Sequence, residues 1–87
     1  MEEALDLASL CRTAGRIMRT GGRFAVVFRP ERMAELFTAM QSERITPKRL
    51  RPLSHRVGKE PYAILVEGVK EGGMGLAFLP TAYQEEG

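Results

Sequence analysis

The sequence predicts one α/β domain in the order helix, strand, helix, strand, strand, with a mixed three-stranded sheet. Two observations support this class. Residues 24–28 and 62–69 are almost continuously apolar, which is typical of buried strands. Two other segments repeat apolar residues at steps of three and four, as amphipathic helices do. At 87 residues the chain is long enough for at most one domain.

The first helix is predicted over residues 2–20. Its apolar residues recur at helical spacing and form one stripe: Ala4, Leu7, Leu10, Cys11, Ala14, Ile17 and Met18. Gly21 and Gly22 then provide a left-handed stop. Because Cys11 lies on this stripe, we interpret it as a buried packing thiol.

A strand over residues 23–28 and a helix over residues 30–42 are predicted next. Pro30 suits the first position of a helix, where its missing N–H costs nothing. Met33, Leu36, Phe37 and Met40 then give the apolar face of that helix. Pro47 is interpreted as part of the loop that follows it.

Two further strands, over residues 48–53 and 62–69, and a short extended segment over residues 76–80 complete the prediction. Pro52 cannot donate to a strand ladder, so it places the second strand at an edge. The third strand then lies between the other two, in the spatial order first, third, second. The first and second strands are joined by a right-handed parallel crossover, and the third returns antiparallel.

This arrangement leaves the first strand without a neighbour on one side and without a helix over one face. An exposed strand edge invites pairing with another chain. We therefore predict a homodimer through this edge. The expected contact residues are Arg23, Phe24, Ala25, Val26, Val27 and Phe28.

Composition limits the classes of protein that fit. The net charge is only +2, which does not by itself indicate a nucleic-acid binder. No apolar run approaches the roughly 20 residues that a membrane helix needs. The first residues, MEEALDLASL, are acidic where an export signal would be basic, and a single cysteine excludes an internal disulfide. These features favour the cytoplasm.

Neither a metal site nor a catalytic site is predicted. Cys11 and His55 are the only thiol and imidazole, and they belong to different elements. The glycine-rich segments GGRFAV and EGGMGL are followed by extended residues rather than by a helix. Neither therefore presents a helix N-terminus to a phosphate group, and both are interpreted as turns.

Basic residues follow the two parallel strands. In open sheets of this type, ligands bind beyond the carboxyl ends of the parallel strands. The segment from Arg29 to Arg32 and the turn SHRVGKEP both fall there, so we interpret them as candidates for RNA contact, with ordinary surface charge or helix capping as the alternative. The candidate RNA-binding residues are Arg29, Arg32, Lys48, Arg49, Arg51, His55, Arg56 and Lys59.

Residues 21–73 resemble the C-terminal part of a bacterial methyltransferase family, the tRNA(Val) adenine-N6-methyltransferases and their "small-domain" relatives. The resemblance rests on a glycine-led strand that ends in Arg-Pro-Glu-Arg, on PKRLR, on a Gly-Lys turn and on the segment LVEGVKEGG. These motifs keep their order and spacing, and the resemblance extends from about Ala4 to Tyr83.

The resemblance implies a partial Rossmann-like methyltransferase fold and an S-adenosylmethionine-dependent parent enzyme that methylates the exocyclic amine of an adenine in tRNA. In that family the cofactor loop and an Asn-Pro-Pro-Tyr catalytic motif precede the segment seen here. The chain contains no asparagine, so it cannot carry that motif. It would complete the sheet, contribute possible RNA contacts, and by itself be inactive and bind no cofactor.

Two alternatives remain open at this stage. The chain could be a stand-alone small basic RNA-binding module, or a protein-interaction module whose open strand edge pairs with a partner. Against the RNA-binding module, the sequence has only four Phe and two Tyr, mostly at predicted core positions.

Overall fold

A computed structural model describes residues 6–84 of the chain. Its elements are α1 (Leu7–Ile17), β1 (Arg23–Phe28), a 3-10 turn (Pro30–Arg32), α2 (Met33–Ser42), β2 (Ile45–Ser54), β3 (Ala63–Lys70), β4 (Ala77–Phe78) and β5 (Ala82–Tyr83). The predicted order of helices and strands is therefore present. The predicted helix over residues 30–42 is divided into the 3-10 turn and α2.

The sheet has the order β1-β3-β2-β4, and β5 also pairs with β2. Both β1 and β2 run antiparallel to β3, so they are parallel to each other. This confirms the α/β class, the mixed sheet and the spatial order first, third, second. Phe28 and Pro52 are both paired with Ile64, so β1 and β2 reach the same level near their carboxyl ends.

The prediction that β2 is an edge strand is wrong. On the side away from β3, β2 pairs in parallel with β4 at Arg49 and Leu50, and with β5 at Leu53 and Ser54. Pro52 lies between these two pairings, where no ladder hydrogen bond needs its missing N–H. β4 lies within the extended segment predicted over residues 76–80, but strands of two residues carry no periodic pattern, so the sequence did not show that β4 and β5 pair with β2.

The second strand also begins earlier than predicted. It starts at Ile45, and Pro47 is a buried strand residue rather than a loop residue. The register against β3 shifts between Pro47 and Arg49, so Lys48 occupies a bulge. A bulge accommodates a proline without loss of the strand, which explains why Pro47 did not end it.

The first helix is shorter than residues 2–20. The predicted residues 2–5 lie outside the described part of the chain, and α1 begins after Asp6, whose carboxylate accepts a hydrogen bond from the Ser9 N–H at 2.8 Å. The helix ends because Met18 has extended backbone angles. Ile17 is 78% exposed and does not belong to the buried stripe. Gly21, with φ of 85°, forms the turn before β1 instead of the helix stop.

The core lies between the two helices and one face of the sheet. Its buried residues are Cys11, Ala14, Leu36, Met40, Ile45, Leu50, Ile64 and Val66. The interpretation of Cys11 as a buried packing thiol is confirmed, since it is fully buried. Burial raises the pKa of this thiol, and the negative charge of Glu43 raises it further. Both effects disfavour the thiolate form that a nucleophile needs.

Candidate nucleic-acid interface

The carboxyl ends of the parallel strands bring two loops to one edge of the sheet. One loop is residues 29–32, after β1, and the other is residues 55–62, after β2; together we call them the rim. Only β3 separates β1 from β2, and neighbouring strands lie about 4.8 Å apart, so the two strand ends are about 10 Å apart. This spacing lets one ligand contact both loops.

The first loop presents two arginines in different environments. Arg29 is exposed on the surface. Arg32 donates from Nε to Glu35 Oε1 at 2.6 Å, and its guanidinium lies 5.3 Å from the centre of the Phe28 ring. The hydrogen bond lowers the pKa of the Glu35 carboxyl, which remains ionised at neutral pH. Part of the Arg32 charge is thus already balanced, whereas Arg29 has no ion-pair partner among residues 6–84.

The second loop is organised by one buried hydroxyl. Ser54 is only 1% exposed, and its Oγ lies 2.9 Å from the carbonyl oxygen of Lys59 and 3.2 Å from that of Arg56. A hydroxyl has one proton, so it donates to one carbonyl at a time, and the Lys59 oxygen is the nearer. Gly58, with φ of 90°, allows the chain to turn between them.

A stacked pair of rings closes this loop. The rings of His55 and Tyr62 lie 4.4 Å apart between centres, with an angle of 28° between their planes. His55 Nδ1 lies 2.7 Å from Gln84 Oε1, so with the amide in this orientation the histidine donates its proton there. Tyr62 is 47% exposed. The pair joins the beginning of the loop to its end.

The exposed aromatic residues were missed by the sequence analysis. Tyr62, Phe78 and Tyr83 are all partly or largely exposed rather than in the core. Tyr62 was predicted as the first residue of a strand, but β3 begins at Ala63, which is paired with Leu53. The preceding Pro61 was the available signal, because it marks a chain that has not yet entered the sheet.

The remaining candidate residues lie away from the rim. Lys48 donates from Nζ to the carbonyl oxygens of Gly73 and Met74, at 2.9 and 3.1 Å, and so braces the loop after β3. Arg49 lies 3.7 Å from Glu67, and Arg51 donates to the Pro80 carbonyl at 2.7 Å. The predicted set is therefore not one patch. Arg29, Arg32, His55, Arg56 and Lys59 belong to the rim.

The sheet face opposite the helices is uncovered by any described element. We call it the open face, and it is formed by Ala25, Val27, Arg49, Arg51, Leu65, Glu67 and Leu79. Arg23 and Arg49 flank Glu67 at 3.8 and 3.7 Å. Val27 is 57% exposed although it belongs to an apolar strand. The face is thus partly apolar and partly charged.

In the described part of the chain, neither glycine-rich segment leads into a helix. Gly21 and Gly22 instead lead into β1, and the glycines at 72, 73 and 75 lead into β4. Residues 6–84 also contain no cluster of three or more possible metal ligands. None of their helices is long and apolar enough to cross a membrane.

Comparison with known proteins finds a likeness among solved structures. No protein-family model and no curated protein matches the chain. Among solved structures, it is similar to a predicted O-methyltransferase from Agrobacterium tumefaciens, with a TM-score of 0.81 and 27% sequence identity. The match covers 88% of this chain and 36% of that one. The chain therefore spans about a third of the length of the protein that it resembles.

The likeness and the sheet topology together define the class. The chain forms part of a methyltransferase-like fold. The sequence resemblance to a methyltransferase is confirmed at this level.

Proposed function

We propose that the chain is the C-terminal part of an S-adenosylmethionine-dependent methyltransferase that methylates the exocyclic amine of an adenine in tRNA. The methyltransferase part of the proposal rests on the structural match, which extends over 88% of this chain but only 36% of a predicted O-methyltransferase. The adenine and tRNA parts rest on the sequence resemblance. S-adenosylmethionine would supply the methyl group. Its binding loop and the catalytic motif belong to the part of the enzyme outside this chain.

The open face and the free edge of β1 support a role in completing a larger sheet. On β1, side chains alternate between half-buried and exposed, and the exposed set includes Val27. An apolar strand open on one face and along one edge is normally covered in a finished protein. We expect further strands of the complete sheet to pair with β1.

The rim supports a role in RNA binding. Arg29, Arg56 and Lys59 are exposed there, at the carboxyl ends of the parallel strands, where open α/β sheets bind their ligands. Exposed cations at this edge can contact phosphates, which fix the position of a nucleic acid without reading its sequence. In the proposed enzyme the rim would orient tRNA toward the adenine site.

This role can be tested by measuring tRNA binding over a series of salt concentrations. We expect Arg29→Ala to weaken binding and to reduce the salt slope by about 1, as the loss of one phosphate contact does. Arg32→Ala should have a smaller effect, because Glu35 already balances part of its charge. Arg16→Ala, which removes an exposed charge from α1, is the matched control. Equal affinities and slopes for Arg29→Ala and Arg16→Ala would contradict the proposal.

A second candidate function is protein interaction through the edge of β1, with a second copy of the chain as the partner. The observation that favours it is the same edge of β1, which has no paired strand among residues 6–84 and so offers unpaired backbone groups along Arg23–Phe28. Self-association would cover the strand when the rest of the sheet is absent. The two functions differ in their partner, and light scattering separates them.

A further inference from the structure

We propose that the His55–Tyr62 pair is a stacking platform for one unpaired nucleobase, with Arg56 and Lys59 as contacts for the adjoining phosphates. The inference rests on the proposed RNA-binding function and makes it specific. It assigns base contact to a residue, Tyr62, that the sequence analysis did not include among the candidates.

The first argument is the geometry of the two rings. Their centres are 4.4 Å apart and their planes differ by 28°, which is an offset stack of the kind that aromatic pairs prefer. Tyr62 remains 47% exposed in this arrangement, so much of its surface is accessible. A base can extend the stack, because every nucleobase has an aromatic face.

The second argument is that the platform is held in place before any ligand arrives. His55 is fixed from one side by Tyr62 and from another by its 2.7 Å hydrogen bond to Gln84. The Tyr62 N–H donates to the Leu53 carbonyl at 2.8 Å, which ties its backbone to the end of β2. A fixed platform loses little conformational freedom on binding, and this favours affinity.

The third argument is the charge beside the rings. Arg56 and Lys59 are exposed in the same loop, and the Lys59 N–H donates to the Arg56 carbonyl at 3.1 Å, so the two residues are close along a tight turn. Glu60 is the one acidic residue of this loop, so Arg56 and Lys59 together leave the loop with a net positive charge. An aromatic platform beside cations is the usual arrangement for binding single strands, in which bases stack and phosphates contact cations.

The geometry favours an unpaired nucleotide over a duplex. In an RNA helix each base is already stacked between its neighbours and its faces are unavailable. A loop or a single-stranded end of tRNA offers a free base. The platform should therefore discriminate between a single-stranded oligonucleotide and a duplex of equal phosphate number.

The tyrosine content of the chain allows a direct test. The chain has two tyrosines and no tryptophan, so Tyr83→Phe leaves Tyr62 as the only strong emitter. We expect single-stranded oligoadenylate to quench the emission of this variant, and a duplex RNA of equal length to quench it less. Unchanged emission at saturating oligoadenylate would overturn the inference.

Affinity measurements complete the test. Anisotropy of labelled oligoadenylate should show about a 10-fold loss for Tyr62→Ala and near-normal affinity for Tyr62→Phe. Phe78→Ala should cause no loss, because Phe78 is an exposed aromatic residue paired with Leu50 inside β2 rather than in the rim. If Tyr62→Ala binds as well as Phe78→Ala while an Arg56→Ala/Lys59→Ala variant binds weakly, the platform is excluded but RNA contact stands. If the unsubstituted chain binds no RNA at low salt, the platform is overturned together with the RNA part of the proposed function. Methyl transfer is measured separately.

Discussion

The hydroxyl of Ser54 lies 2.9 Å from the carbonyl oxygen of Lys59, five positions further along the chain. Ser54 ends β2 inside the protein, and Lys59 belongs to the exposed loop that carries the rim's second set of cations. One buried hydroxyl thus connects the sheet to the surface that we assign to RNA. We therefore expect the shape of that surface to depend on a buried residue.

Replacement of this hydroxyl should loosen the loop. We expect Ser54→Ala to lower the free energy of unfolding by about 1 kcal/mol, the usual contribution of one such hydrogen bond. Hydrogen exchange in residues 55–61 should accelerate more than in β3. Ser42→Ala is the control, because the Ser42 hydroxyl only donates to Ala39 within its own helix. Equal exchange in both variants would show that Ser54 does not organise the loop.

Close packing of α2 on β3 should make Gly68 intolerant of a side chain. A Cβ at this position would lie 2.4 Å from Met40 Cε and 2.7 Å from Ile45 Cγ2, so neighbouring core residues would have to move. We expect Gly68→Ala to cost about 1–3 kcal/mol of stability, as overpacked cores do. Gly73→Ala has open space around the new atom and should cost much less in the same denaturant titration. Similar midpoints for the two variants would contradict this packing.

Backbone strain at Arg44 should be measurable. Arg44 lies just beyond the end of α2, with φ of 63° in the left-handed region that glycine favours, and its guanidinium lies 3.3 Å from Glu71. Arg44→Ala and Arg44→Gly both remove this exposed ion pair, so the difference between them isolates the backbone. We expect the glycine variant to be the more stable by about 1 kcal/mol. Thermal unfolding of the two variants measures this difference in stability. An alanine variant as stable as the glycine variant would exclude backbone strain at Arg44.

The sequence predicted the order of the strands because Pro52 and the apolar run of β3 carry strong local signals. The predicted order of the strands is correct even though Pro52 does not mark an edge strand. Along β2, β4 pairs before Pro52 and β5 pairs after it. The largely apolar β3 needs neighbours on both sides, and this requirement gives it the same central position that followed from the edge wrongly assigned to Pro52. The predicted apolar stripe of the first helix is correct at Cys11, which is buried. It is wrong at Ile17, which is exposed and lies at the end of α1.

The candidate site was less accessible to sequence reasoning. The convergence of residues 29–32 with residues 55–62 followed from the parallel crossover. The sequence could not separate Arg49 and Arg51 from the rim, because that depends on which side of β2 each side chain faces. The stacking of His55 on Tyr62 also depends on the path of the loop between them, which a hydroxyl at Ser54 determines.

The free edge of β1 should cause self-association of the isolated chain. We expect light scattering at high concentration to give a mass about twice the monomer's 9.7 kDa. Val27→Lys should shift the population toward monomer, because a lysine on an edge strand opposes pairing with another chain. Thr13→Lys adds the same charge to the exposed surface of α1 and should leave the dimer intact. A monodisperse monomer for the unsubstituted chain would contradict the prediction.

The identity of the methylated product tests the central claim most directly. The proposed enzyme, with the 87-residue chain as its C-terminal part, would be incubated with tRNA and S-adenosylmethionine labelled in its methyl group. The tRNA would then be digested to nucleosides and analysed by mass spectrometry. Our account predicts that the label appears in N6-methyladenosine. Label in an O-methylated nucleoside, or no label in tRNA, would contradict it.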